Sequence, residues 1–241
     1  MAITFQCNLA AAPMPLNHAW EHTTGSGRAM LALRADWQQH LKQVHRDLGF
    51  RHVRFHGALD DDMGTLICNR KELLYSFFNI DKIYDFLLST GMKPSVELSF
   101  MPSTLASGNT TVFSYQGNVT PPKDYKQWGA LIDRLMRHWV DRYGAFEVSQ
   151  WCLEVWNEPN PRAFWTGGKK GYYELYRTTA QAIKNIDRQL KVGGPSSAQN
   201  AWIPDFLEHC EKNELPVADA ERLDRAKLGG SVESQHAAGT S

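Results

Sequence analysis

The sequence predicts an α/β protein of the TIM (β/α)8-type barrel class, with only about five of the eight βα units present in this chain. Three observations predict it. Five times along the 241 residues, a short apolar run is followed by a loop and then by a longer pattern of helical period. That alternation makes a parallel sheet with crossover helices. Long loops follow the second, third and fourth runs, as in a barrel whose strand-to-helix loops gather on one face. The open nucleotide-binding sheets lose their usual marks: no G-x-G-x-x-G follows the first run, and "WTGGKKG" has neither the glycine spacing nor the Lys-Ser/Thr pair of a P-loop.

The first run is "ITFQCN", with a helix through "ADWQQHLKQVHRDLGF", where Asp36 is the expected N-cap and Gly49 the C-terminal stop. The second, "HVRFHG", leads to a helix in "IDKIYDFLLSTG". The third is "KPSVELSF". A loop rich in Ser, Thr, Gly and Asn separates it from the longest helix, roughly Tyr125 to Tyr143, with Trp128, Leu131, Leu135 and Trp139 at helical spacing. The fourth is "WCLEVWNEPN", followed by "GYYELYRTTAQAIKNIDRQ". The fifth is "LKVGGPSS", followed by "AWIPDFLEHCEKNEL". After "NELPV" the pattern stops, and the small, polar text that ends the chain reads as disordered. Residues 1–217 are therefore taken as a partial barrel and 218–241 as a divergent tail.

A five-stranded arc leaves two strand edges unpaired and one side of its interior open. Such a chain has to rearrange, associate with another copy through the exposed barrel edges, or aggregate. Formal net charge is zero without a run of one sign, so neither nucleic acid nor an anionic membrane is expected as partner. Neutral molecules, sugars among them, fit better. No run reaches the ~18 apolar residues of a membrane span, and "MAITFQCNLA" does not read as a signal peptide. Cys7, Cys68, Cys152 and Cys210 are scattered and form no C-x-x-C pair, which points to a reducing, cytoplasmic setting without disulfides or a zinc site.

The chemistry is expected at the strand tips. "WCLEVWNEPN" is a strand that ends on an amide, an acid and a proline. Residues of equal parity share a strand face, so Glu154, Trp156 and Glu158 fall together if no bulge intervenes. Desolvation among tryptophans disfavours the carboxylate and suits a general acid. Asn157 is suited to a sugar hydroxyl near the reacting carbon. The alternative is that Glu158 caps a turn and Asn157 satisfies local backbone.

In "VRFHGALDDDMG", His56 is a candidate for binding hydroxyls. Asp60, Asp61 and Asp62 offer short acceptors for hydroxyls or a divalent metal, against a solvated acidic loop as the favoured alternative. Asp61 is retained as the substrate-binding candidate. Glu97, mid-strand in "VELSFMPS", reads as a structural interior acid with Arg54 as its partner. Phe100 and Trp165 lie in strand-to-helix loops, where aromatic faces can stack on sugars; loop packing is the competing reading. His18 and His22 in "HAWEH" do not match H-E-x-x-H and read as ordinary loop residues. No metal site is expected.

Three segments in this order, "RFHGALDDDMG", "PSVELSFMPS" and "VWNEPN", resemble the family 39 glycoside hydrolases, retaining β-xylosidases with α-L-iduronidases as relatives. The resemblance runs from about Phe5 to Val217. It implies hydrolysis of a terminal sugar with retention, on a xylo-oligosaccharide or aryl xyloside, without a cofactor. It implies Glu158 as acid/base, Asn157 on the 2-hydroxyl and His56 against the sugar. It also implies a nucleophilic glutamate at the end of a seventh strand. The later glutamates, Glu208, Glu211, Glu214, Glu221 and Glu233, end no predicted strand, so the nucleophile has no match and the activity of this chain is doubtful. A non-catalytic carbohydrate-binding or dimerising fragment is the alternative.

Overall fold

The structure is a computed structural model that describes residues 14–70 and 72–216, together with Phe5, Asn8, Ala10 and Ala12. The tail 218–241, Cys7 and most of "ITFQCN" lie outside the described residues.

Alternation within each strand sorts its side chains between two faces. The strands are β1 (Thr23–Arg28), β2 (His52–His56), the hairpin β3 (Leu66–Asn69) and β4 (Glu72–Tyr75), then β5 (Lys93–Leu98). A second small hairpin, β6 (Thr111–Val112) and β7 (Gly117–Asn118), precedes β8 (Cys152–Val155) and β9 (Lys191–Gly193). The helices are α1 (Ala35–Leu48), α2 (Phe78–Ser89), α3 (Tyr125–Tyr143), the short α4 (Ala145–Val148), α5 (Gly168–Lys184) and α6 (Ile203–Lys212).

Five parallel strands form one sheet in the order β1-β2-β5-β8-β9. Chain order and spatial order agree, so each crossover adds a strand beside the last, as in the wall of a barrel. Among the described residues β1 and β9 are the two edges. The outward residues Val53, Phe55, Val96, Leu98, Leu153, Val155 and Val192 are buried in a core shared with Ile83, Leu87, Trp128, Leu131, Leu135, Trp139 and Ile183 of the helices. Inward-facing positions are polar: His52, Arg54 and His56 on β2, Ser95 and Glu97 on β5, Cys152 and Glu154 on β8.

The first strand among the described residues is one that the sequence reading did not mark. "TTGSGR" carries no apolar residue, yet it forms β1 because β2 presents a free edge, in the register Thr23↔His52 and Thr24↔Val53. Tertiary pairing overrides its weak strand propensity. Helix α1 also starts differently. Arg34 occupies the N-cap without a side-chain bond, and Asp36 sits in the first turn, held by the Arg34 guanidinium at 2.7 and 3.0 Å. Its end is as expected, with Gly49 in the left-handed region at φ 74°.

Helix α3 is the structural spine. Trp128 Nε1 donates to Thr179 Oγ1 of α5 at 2.8 Å, and Trp139 packs on Tyr84 and Trp151 with ring centroids 5.2 and 5.7 Å apart. Asp124 caps it by accepting from the Lys126 N–H at 2.8 Å. Asp124→Ala should lower stability by about 1 kcal/mol in urea unfolding, with the slope unchanged.

Candidate active site

The site is built on the C-terminal tips of β2, β5 and β8, above a charged layer inside the arc. Its centre is Arg54. The guanidinium Nε and Nη2 donate to Glu154 at 2.6 and 2.7 Å, Nη2 lies 2.6 Å from Glu97 Oε2, and Nη2 also donates to Asn157 Oδ1 at 3.0 Å. Burial works against the charge, but the bond to Glu154 and the charges of Glu97, Glu154 and Glu158 outweigh it and hold the guanidinium above its ordinary pKa.

Glu97 is fully buried, as an interior acid should be when its partners are built around it. Its Oε2 also accepts from His56 Nδ1 at 2.8 Å, and Ser99 Oγ donates to its Oε1. This fixes the His56 ring and leaves Nε2 as its other polar atom. A single network thus runs from His56 through Glu97 and Arg54 to Asn157, the residue before Glu158.

Glu158 is placed by a break in its strand. The ladder stops at Val155, and Trp156 and Glu158 take φ values of +72° and +43°. The expected shared face of Glu154, Trp156 and Glu158 is therefore not formed. Glu154 points into the arc at Arg54, whereas Trp156 turns into the wall, fully buried, with Nε1 donating to Phe164 O at 2.7 Å. Glu158 is half-buried, and its N–H donates to Ser196 O at 3.1 Å. Positive φ in non-glycine residues carries strain and collects at functional sites.

Three of the sequence candidates sit elsewhere than expected. Phe100 and Trp165 are 0% and 1% exposed, so neither offers a face to a sugar. They pack as walls: Phe100 against Trp156 at 5.6 Å, and Trp165 against Trp156 at 4.9 Å with Nε1 donating to Gly168 O. The reason is depth, since the β6–β7 hairpin lies over Phe100. A Cβ on Gly117 would come within 2.5 Å of that ring. Asp61 is exposed and accepts from the Ser103 N–H at 3.0 Å, tying two loops together outside the Arg54 network.

The residue that the sequence reading missed is Phe113. It is 44% exposed and stacks on His56, with centroids 5.8 Å apart and planes at 21°. With Tyr115, Arg28 and His56 it lines a cavity of about 370 Å³. The signal is the alternation "VFSYQG" inside the loop rich in Ser, Thr, Gly and Asn. His18 and His22 lie before β1, at the opposite end of the strand from the tips, where His22 stacks on His52. Among the described residues no group of three or more His, Cys, Asp or Glu is arranged to hold a metal ion.

A parallel barrel arc carrying an Asn-Glu pair at the tip of its fourth strand, over an arginine-centred layer, has the architecture of a barrel glycosidase. More narrowly, the chain belongs to glycosyl hydrolases family 39, whose family model matches residues 3–229, beyond the Val217 at which the sequence resemblance ended. It is 52% identical over 204 residues to a beta-xylosidase of Caldicellulosiruptor saccharolyticus, covering 84% of this chain and 42% of the relative. It is 44% identical over 205 residues to a beta-xylosidase of Geobacillus stearothermophilus, covering 82% and 41%. The crystal structure of a monomeric beta-xylosidase from Caulobacter crescentus superposes with a TM-score of 0.82 at 40% identity, over 87% of this chain and 42% of that one. The chain thus spans less than half the length of these relatives.

Proposed function

We propose that this chain is the proton-donor portion of a retaining β-xylosidase acting on xylo-oligosaccharides or aryl xylosides. The observation that supports it is the single network joining His56, Glu97, Arg54 and Asn157 directly beside Glu158. In this reading Glu158 protonates the leaving oxygen while a carboxylate attacks the anomeric carbon. Glu158 then takes a proton from the water that hydrolyses the glycosyl-enzyme. Asn157, oriented by Arg54, meets the 2-hydroxyl, and His56 with Phe113 borders the sugar.

The second carboxylate belongs ~5–5.5 Å from the first. Of the described later glutamates, Glu208 and Glu211 lie on α6 and Glu214 follows it, so none ends a strand. The nucleophile therefore comes from polypeptide other than the described residues. Cytoplasmic action belongs to the same proposal, supported by Cys68 and Cys210 being free thiols.

The test is hydrolysis of 4-nitrophenyl β-D-xyloside by the pure chain, and by the chain co-expressed with the C-terminal part of the Caldicellulosiruptor relative. Negligible turnover alone and turnover in the co-expressed complex are expected. Hydrolysis by the pure chain, abolished in Glu158→Ala, would show that this chain holds its own nucleophile. A complex that forms yet stays inactive would overturn the donor role.

A second reading, a carbohydrate-binding or self-associating fragment, is favoured by the β1 and β9 edges. Unpaired edges template further strand pairing, and light scattering distinguishes a monomer from a dimer.

A further inference from the structure

Asp60 is an acid for which the two-carboxylate chemistry has no use. It lies on the loop leaving β2 and is only 6% exposed. Its Oδ1 accepts from the Phe100 N–H at 3.1 Å, and its Oδ2 is sealed from solvent with no hydrogen-bond partner. Gly57 makes this burial feasible: it sits at φ +72°, and a Cβ there would lie 2.3 Å from Oδ2. Around the carboxyl the same two loops are joined again, by Leu59 N–H donating to Ser99 O at 2.8 Å and by Gly57 N–H reaching Ser99 Oγ at 3.5 Å. Ser99 in turn donates to Glu97, which holds His56. The Phe100 ring, whose amide Asp60 grips, packs on His56, Phe113 and Trp156 at 6.1, 6.2 and 5.6 Å.

We infer that Asp60 is a positioning residue, whose carboxyl accepts from the Phe100 amide with its second oxygen sealed from water, clamps the loop after β2 to the loop after β5 and couples their opening to its own proton. The charges around it are mixed. Arg28 of β1 is shared with Asp62, at 2.6 Å; Asp61 and Asp62 belong to the same loop as Asp60; Tyr115 comes from the β6–β7 hairpin; Glu97 lies beyond Ser99. Burial first, then Asp62 and Asp61, push the Asp60 carboxyl up to about 7, against the downward pull of the Phe100 N–H and Arg28.

The sign follows from linkage. In an opened loop the carboxyl titrates at its ordinary 3.8, so opening releases a proton that the closed loop retains. Closure is strongest below that value. The opening equilibrium rises about tenfold per pH unit up to about 7 and is level above it.

Amide hydrogen exchange at Phe100, corrected for intrinsic exchange and referenced to Leu131 in α3, reads this directly. The expected result is a rise in opening of about ten- to a hundredfold between pH 5 and 7, a plateau above 7, and a flat profile in Asp60→Asn. An unchanged slope in Asp60→Asn would overturn the inference. So would a flat profile in the unsubstituted chain, which needs no variant to fold. The consequence for a sugar rests on the proposed role of His56, but the exchange is measured without saccharide. Failure of the glycosidase reading and failure of the clamp are therefore separable.

Discussion

Arg54→Met is expected to lower the stability of the chain by about 3–5 kcal/mol, measured by urea unfolding at neutral pH. Methionine keeps most of the volume, so the loss is electrostatic rather than a cavity effect. The guanidinium is the shared partner of Glu97 and Glu154 and also donates to Asn157. Without it, Glu97 is left fully buried with the hydrogen bonds of His56 and Ser99, and Glu154 keeps a charge inside the arc. Removing one member of a buried pair is costly because the other stays desolvated. The triple variant Arg54→Met, Glu97→Gln, Glu154→Gln should therefore regain most of the loss, since it retires the orphaned charges together. If the triple variant is less stable than Arg54→Met, the layer is held by its hydrogen-bond geometry and not by charge balance. The same substitution should free Asn157, so its amide should become mobile even where the fold persists.

In the co-expressed complex, Glu158→Gln is expected to lower kcat/KM on xylobiose by about 10²–10⁴. Glutamine keeps the shape of the side chain and its half-buried place, with the backbone still pinned to Ser196. It has no acidic proton to give. A sugar alkoxide leaves poorly unless protonated, whereas 4-nitrophenolate leaves without help. The loss on the aryl xyloside should therefore be smaller than on xylobiose for the glycosylation step. Equal losses on the two substrates would assign Glu158 a binding role, and the donor would have to be sought elsewhere on the strand tips.

How far the molecule could be read from its sequence differs from residue to residue. "HVRFH" and "KPSVEL" announce their strands and faces, because Val53, Phe55 and Val96 alternate with polar positions that turn inward. The same alternation made Glu97 an interior acid and Arg54 its partner, and the two lie 2.6 Å apart. β1 was illegible, because "TTGSGR" has no apolar face and becomes a strand only through its neighbour. Parity failed once more at Trp156, where a positive φ turned the indole into the wall, and no sequence pattern announces such a turn. Phe100 and Trp165 were misplaced for another reason. Sequence gives their position along a loop but not their depth, which for Phe100 is set by a hairpin some residues away.

The inward lining of the arc has one more consequence. Because Arg54, His56, Glu97, Glu154 and Ser95 face the concavity, the apolar faces of the strands pack between the sheet and its helices. Opening such a barrel wets a surface already suited to water and leaves the greasy layer intact. Among the described residues the sheet also ends in two lines of backbone open to pairing, along β1 and β9. The concave side behaves as a hydrophilic trough, and one charged or proline residue on each rim should guard the β1 and β9 backbone against pairing with another chain.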